Sequence, residues 1–320
     1  MATPPRAPAQ RERRGPPAPA AVAVSVILPA YRAAATLPAT LASLFAQTFA
    51  DFEVIVVDDA SPDHTWEVLL ATPAPRPLLA LRSAHNKGPA AARNLALAHA
   101  RGQVLAFADA DDVFYPDKLA RQYAALCARR PAAVANFCAA HDEQGRLQTR
   151  QVGTRFADDL LLFRQDIIST SGLLCWRDTV QALGGFPHGL RAKEDVALVV
   201  RLLQHGAVDY LPQSLYRKNF SGRRRAQVIL AGVEAFWRTF AAELQALPDR
   251  HRARAQGALY GRLAGLALTE GEAAACWTYL TRGCRASPGA CAGALLGGLG
   301  RSVRRHRPGW TAGPARVPES

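Results

Sequence analysis

Lysine is scarce in this chain. Only four of the 39 basic residues among 320 are lysine, and the rest are arginine. The six cysteines (Cys127, Cys138, Cys175, Cys276, Cys284 and Cys291) form no CxxC pair and share no regular spacing. That argues against a zinc ribbon or a disulfide framework and reads as thiols kept reduced in a cytoplasm. No run of 18 apolar residues occurs, so no transmembrane helix is expected. A glycine-rich phosphate loop is also missing. Pro29-Ala30-Tyr31-Arg32 stands after the first apolar run, where a dinucleotide fold would carry GxGxxG and a nucleotidyltransferase its own glycine-rich loop.

What is present is an ordinary globular composition, 49% apolar and 20% charged, enough for one large domain or two smaller ones. The net charge of +13 is unevenly placed: +3 over residues 1–22, +1 over 23–222 and +9 over 223–320. Residues 1–22 are rich in Pro, Ala and Arg, with little to bury, and read as a disordered leader. Arg11 to Arg14 ahead of Ala20 to Leu28 imitates a signal peptide. The β-branched residues of that run favour a first sheet strand instead.

The apolar runs at Val24–Leu28, Phe52–Val57, Leu78–Leu81 and Val104–Phe107 read as buried strands, with Pro29 stopping the first. Helical patterns stand between them. Thr36 can cap one over Leu37, Leu41, Leu44 and Phe45, and Asp63 or Thr65 a short one through Trp66 and Leu69. A third runs from Ala90 to Ala100. Strands alternating with helices predict an α/β fold with a mainly parallel sheet flanked by helices. A helix over 117–130, a strand over 132–139 and a turn at 142–145 follow, and residues 150–180 give no clear assignment. Gly184-Gly185-Phe186-Pro187 reads as a tight loop before a helix that begins at Lys193-Glu194-Asp195. A strand falls within 208–218. From 226 the periodicity is helical, with Val228, Leu230, Val233, Phe236, Trp237 and Phe240 on one face. Segments 252–268 and 271–284 suit a helical pair, either one tetratricopeptide-like unit or an ordinary helical extension. The expected division is a leader at 1–22, a catalytic domain at 23–225, a basic helical extension at 226–307 and a disordered tail at 308–320.

Acidic residues gather where the strands end. Asp58-Asp59 closes the second run, and Asp109, Asp111 and Asp112 follow the fourth. In a parallel sheet, functional loops lie at the carboxyl ends of strands. Three carboxylates in four positions exceed what helix capping needs, and they repel one another unless a cation joins them.

Six stretches in order resemble a family 2 glycosyltransferase of the GT-A fold. They are Val24 to Tyr31, Gln47-Thr48-Phe49 with Phe52 to Ser61, Asn86 to Asn94, the aspartate cluster with Pro116, Gly184-Gly185-Phe186, and Glu194-Asp195. The resemblance implies inverting transfer of a sugar from a nucleotide-diphosphate donor, most commonly a UDP-sugar, to a hydroxyl acceptor, assisted by Mg²⁺ or Mn²⁺. It assigns Pro29 and Tyr31 to the nucleotide base, Asp59 to base or ribose, and Arg93 to diphosphate or base. Asp109 and Asp111 form the DxD pair, Asp111 reaching the metal and Asp109 the ribose or metal, while Asp112 orients the sugar or a metal-bound water. Asp195 matches the catalytic base. Family members often carry a histidine shortly after a late Tyr-Arg pair. Here Tyr216-Arg217-Lys218-Asn219 has asparagine there, leaving Lys218 or Arg217 to assist the phosphates. Arg223 to Arg225 read either as a lid over the diphosphate or as a solvated run.

The implied partners are the nucleotide-sugar donor and a glycan or lipid-linked acceptor, with a role in bacterial surface polysaccharide assembly. The implied location is the cytoplasm. The basic tail suggests either a solvated helical surface or peripheral contact with an anionic membrane at its inner face. Nucleic acid is disfavoured, because no aromatic interleaving accompanies the arginines. The competing readings are a catalytically inactive adaptor acting through the helical tail and a nucleotidyltransferase.

Overall fold

The computed structural model describes residues 9–17, 21–141, 147–150, 157–163, 169–190, 192–219 and 226–305. The expected turn at 142–145, the Arg223 to Arg225 run and the tail at 308–320 lie outside them. Two compact units are formed. Among the described residues one takes in those up to 141, 147–219 and 231–241, and the other 226–230 and 242–305. Residues 231–241 group with the first unit. Among the described residues no helix is long and apolar enough to cross a membrane.

The first unit holds the strands β1 (Gln10–Arg14), β2 (Val24–Ala30), β3 (Phe52–Asp58), β4 (Leu78–Arg82), β5 (Val104–Phe107), β6 (Val113–Phe114), β7 (Ala133–His141), β8 (Leu147–Arg150), β9 (Leu173–Trp176) and β10 (Val208–Lys218). Its helices are α1 (Leu37–Phe45), α2 (Thr65–Ala71), α3 (Pro89–Leu97), α4 (Lys118–Arg129), α5 (Ala157–Leu161), α6 (Arg177–Ala182) and α7 (Glu194–His205). The helix α8 (Ala226–Thr239) belongs to it from residue 231 onward. The strands form one sheet in the order β1-β4-β3-β2-β5-β9-β7-β10-β6, with β8 on β7. From β4 to β5 the pairing is parallel, and β9 runs against both β5 and β7. The apolar runs of β2, β3 and β5 are buried along almost their whole length, as a sheet covered on both faces requires. From β2 the chain steps outward to β3 and β4, then returns to β5 on the other side. That reversal opens a crevice at the carboxyl ends of β2 and β5, the usual ligand position in such sheets.

Two expectations are corrected. Pro29 does not stop β2 but lies inside it. Pairing with β5 ends at Ile27↔Phe107, so no neighbour on that side calls for the missing N–H of Pro29. Residues 10–14, expected in a disordered leader, form β1 antiparallel to β4, from Gln10↔Arg82 to Arg14↔Leu78. Its side chains have no apolar face, so the gain is backbone pairing that covers an edge strand. Arg14 Nη1 adds bonds of 2.8 Å to the carbonyls of both Leu69 and Thr72 at the end of α2.

In α8, Val233 and Phe236 are buried as the pattern predicts, whereas Val228 is exposed. The second unit is built on α9 (Ala241–Ala246), α10 (Asp249–Thr269), α11 (Ala273–Ala286) and α12 (Pro288–Arg305). At Gly261 a β-carbon would stand 2.2 Å from the carbonyl oxygen of Cys291, so glycine there lets α10 and α12 touch backbone to backbone.

Candidate active site

Two groups of side chains meet the crevice. The first lies at the ends of β2, β3 and β4. Tyr31 follows β2 and is 44% exposed, with the Arg32 guanidinium 5.5 Å from the ring centre. The Asp59 N–H donates to the Ala30 carbonyl at 2.9 Å, which sets Asp59 beside Tyr31. The Asp59 carboxylate accepts from the N–H of Lys87 at 3.0 Å and of Gly88 at 2.7 Å. Burial pushes this carboxyl above its usual range against those bonds. Asp58 is fully buried, accepts from the Ser61 N–H at 3.1 Å and pairs with Arg82 Nε at 3.1 Å.

The second group is charged and forms around Asp109. Asp109 Oδ1 takes Arg93 Nη2 at 2.6 Å and the Thr170 hydroxyl at 3.2 Å. Its Oδ2 is 3.5 Å from Lys218 Nζ, and its N–H donates to Ser171 Oγ at 3.0 Å. Burial opposes the charge, yet Arg93 and Lys218 hold the Asp109 carboxyl below its usual range. Arg93 is 3% exposed and grips Glu194 Oε1 through Nη1 at 2.8 Å. Burial, with the charge of Asp195 beside it, raises the Glu194 carboxyl despite that pair. Asp112 is fully buried. Its Oδ1 accepts from the Asn219 N–H at 3.1 Å, and its Oδ2 makes no hydrogen bond among the described residues and lies 3.8 Å from Lys218 Nζ. Burial pushes its carboxyl up to about 7.

The fold explains the meeting. Strand β9 runs against β5, so Thr170 and Ser171, which precede β9, arrive at the end where β5 delivers Asp109. Strand β6 pairs antiparallel with β10 through Tyr216↔Phe114 and Arg217↔Val113, which carries Lys218 across to Asp112. Gln47 pins the aspartate loop from the other side. Its Nε2 donates to the Tyr115 carbonyl at 2.7 Å, and its Oε1 accepts from the Leu119 N–H at 3.0 Å. Asn94 exchanges two bonds with the main chain of Phe186, at 2.8 and 2.9 Å, and so fixes the Gly184-Gly185-Phe186 loop that leads to α7.

Asp195 lies in the first turn of α7, half-buried, its Oδ1 accepting from the Val196 N–H at 2.8 Å. Its charge reaches Arg93, Glu194 and Lys218, and that of Asp111 reaches Asp112 and Lys218. The structure thus gathers Arg93, Asp109, Asp111, Asp112 and Asp195 at one place, with Tyr31 and Asp59 at the neighbouring strand ends. Sequence reasoning missed Ser169, Thr170 and Ser171, which fall in the stretch it left unassigned. It also did not see that Glu194 is the second partner of Arg93.

Among the described residues no group of three or more His, Cys, Asp or Glu side chains stands ready to hold a metal. Both oxygens of Asp109 face cationic side chains. Asp111 remains half-buried at the crevice. One carboxylate together with phosphate oxygens suits a hard cation that keeps part of its water, so the donor set fits a metal that arrives with a diphosphate.

Residues 25–181 match the model of "Glycosyl transferase family 2". A relative from Escherichia coli, UDP-Glc:alpha-D-GlcNAc-diphosphoundecaprenol beta-1,3-glucosyltransferase WfaP, is 37% identical over 99 residues, 31% of this chain. The chain spans only 39% of the length of that relative. Among solved structures, S. aureus TarS 1-349 in complex with UDP-GlcNAc superposes with a TM-score of 0.54 at 18% identity, covering 80% of this chain and 90% of that one. The mannosyltransferase PcManGT from Pyrobaculum calidifontis, in complex with GDP-Man and Mn2+, gives 0.52 at 20% identity, covering 90% and 82%. The fold is GT-A, a mainly parallel sheet flanked by helices with a helical region after it, and over residues 25–181 the chain belongs to glycosyl transferase family 2.

Proposed function

We propose that this protein transfers a sugar from a nucleotide-diphosphate donor to a hydroxyl acceptor, with inversion at the anomeric carbon. The observation that carries this is the clustering of Arg93, Asp109, Lys218, Asp112, Asp111 and Asp195 at the carboxyl end of the sheet. In this reading Pro29 and Tyr31 receive the base. Asp59 orders the Lys87-Gly88 turn against base or ribose, and Asp109, held by Arg93, faces the ribose. Asp111 holds a divalent cation, Mg²⁺ or Mn²⁺, in company with the diphosphate. Such a cation, when bound, supplies neutralising charge for the leaving diphosphate. Asp112 orients the sugar.

The proton of the acceptor hydroxyl goes to Asp195. A carboxylate in the first turn of α7 can serve as the general base. Inverting transfer is one in-line displacement and needs no covalent intermediate. The names of the relatives support a UDP-sugar as donor and a lipid-linked or other glycan acceptor, within bacterial surface glycan assembly. In this reading the work is done on the cytoplasmic side of the membrane.

The division of labour is testable. Asp195→Asn is expected to bind UDP with the affinity of the wild type while losing turnover by about a hundredfold or more. Calorimetry and a transfer assay on the same preparation read the two quantities. Loss of UDP binding in that variant contradicts the assignment of Asp195 as base.

A further inference from the structure

In the helical unit three helices close around one thiol. Helix α12 meets α10 at glycines: a β-carbon at Gly257 would stand 2.6 Å from the carbonyl oxygen of Ser287, and one at Gly261 2.2 Å from that of Cys291. Helix α11 makes room at the same level. A β-carbon at Gly283 would stand 2.5 Å from Cys291 Sγ and 3.2 Å from Cys291 Cβ. Cys291, in the first turn of α12, is therefore fully buried with its thiol against the last turn of α11. The residue after Gly283 is Cys284. It is exposed, both thiols are free, and the Cys284 side chain is in hydrogen-bond contact with that of Cys291. An accessible sulfur touching a buried one is the arrangement in which oxidation of the first is resolved by the second. Burial, with Cys284 beside it, pushes the Cys291 thiol up to about 11, so Cys291 keeps its proton while Cys284 is the thiol that meets solvent.

We propose that Cys284 and Cys291 are a redox-modification site, a dithiol that a peroxide converts into a disulfide clamping α11 to α12. Cys284 Sγ attacks the peroxide, so an S–O bond forms and the O–O bond breaks. With hydrogen peroxide, the departing hydroxide takes the Cys284 proton and leaves as water. Cys291 Sγ then attacks Cys284 Sγ: the S–S bond forms, the S–O bond breaks, and the second hydroxide leaves as water with the Cys291 proton. The two sulfurs give up two electrons and the peroxide takes them, so two thiols and one hydrogen peroxide yield one disulfide and two waters. The site stands apart from the carboxylates of the sheet and does not depend on the reading of the donor site.

The test is peptide mapping of the full chain, reduced first and then treated with a small excess of hydrogen peroxide. Trypsin without reductant cleaves after Arg282, Arg285 and Arg301, which puts the two cysteines on separate peptides, residues 283–285 and 286–301. The expected result is one joined species in most chains, lighter than the two peptides together by two hydrogens and released by a thiol reductant. Cys291→Ser is expected to stop the reaction halfway, leaving a sulfenic acid on Cys284 that dimedone traps. Cys284→Ser is expected to leave Cys291 as the thiol, shielded from peroxide. A dimedone adduct on Cys284 of the wild type in place of the joined peptides overturns the proposal. So does a disulfide from Cys284 to a second chain, or recovery of both peptides as free thiols. These wild-type results need no variant, so they decide the matter even if a serine variant does not fold.

Discussion

Arg93 and Lys218 place positive charge at the two oxygens of one carboxylate, Asp109, and they differ in burial, with side chains 4% and 24% exposed. Lys118 shows a buried cation of another kind. It is fully buried, bonded to Gln122 Oε1, and its Nζ lies 4.2 Å from the centre of the Phe114 ring. Burial lowers its pKa to about 7, against the pull of Asp112. In the unfolded chain the group regains its ordinary value of 10.5. Above that value neither state is protonated and the burial costs nothing. As pH falls from 10.5 to 7 the unfolded chain takes up the proton first, so stability declines through that window and levels off below it. Lys118→Met is therefore expected to be more stable than the wild type near pH 7 by up to roughly 3 to 5 kcal/mol, with the gap closing toward pH 10. Urea unfolding at both pH values measures the difference, and parallel pH profiles for the two proteins would contradict it. The acids of the site were legible in the sequence as clusters at strand ends. Their partners were not, because Thr170, Ser171, Glu194 and Asn219 reach Asp109, Arg93 and Asp112 from 61 to 107 positions away.

The elements divide the same way. Strands β2, β3, β4 and β5 are near-continuous apolar runs, and such runs announce themselves. Strand β1 reads Gln-Arg-Glu-Arg-Arg and gains only from backbone pairing at an edge, so no pattern of side chains marks it. The two residues of β6 are too few to show a period, yet their pairing with β10 brings Lys218 to Asp112. The glycine pair was read correctly as a tight loop, and its reason lies in α3. Gly185 has a φ of 71°, and a β-carbon there would stand 2.6 Å from Asn94 Oδ1, the atom that accepts the Phe186 N–H. Gly185→Ala is thus expected to cost about 1 to 3 kcal/mol from the backbone conformation alone. Turnover should also fall, because the loop before Asp195 shifts. Denaturation midpoints and a transfer assay read both effects. A variant as stable as the wild type would show that the loop is not fixed through Asn94.

On the scale of the whole molecule, the charge is segregated: residues 23–222 are near neutral, and 223–320 carry +9. In the helical unit Trp277 is 70% exposed on α11 and Leu296 67% exposed on α12. Basic charge with exposed apolar side chains suits the surface of an anionic membrane, where a lipid-linked acceptor would lie. Flotation with vesicles is expected to recover the protein on anionic lipid, with binding that weakens as salt rises. Equal recovery on neutral lipid, or none on either, would reject that contact. The central claim concerns chemistry, and sugar transfer tests it most directly. The full chain is incubated with a panel of UDP- and GDP-sugars, Mn²⁺ and a lipid-diphosphate-linked sugar acceptor. Released nucleoside diphosphate and the anomeric configuration of the product, read by proton NMR, are then followed. One donor consumed, with an inverted anomeric centre and no product from Asp195→Asn, is the predicted result; a product of retained configuration, or no release from any donor, would contradict the account.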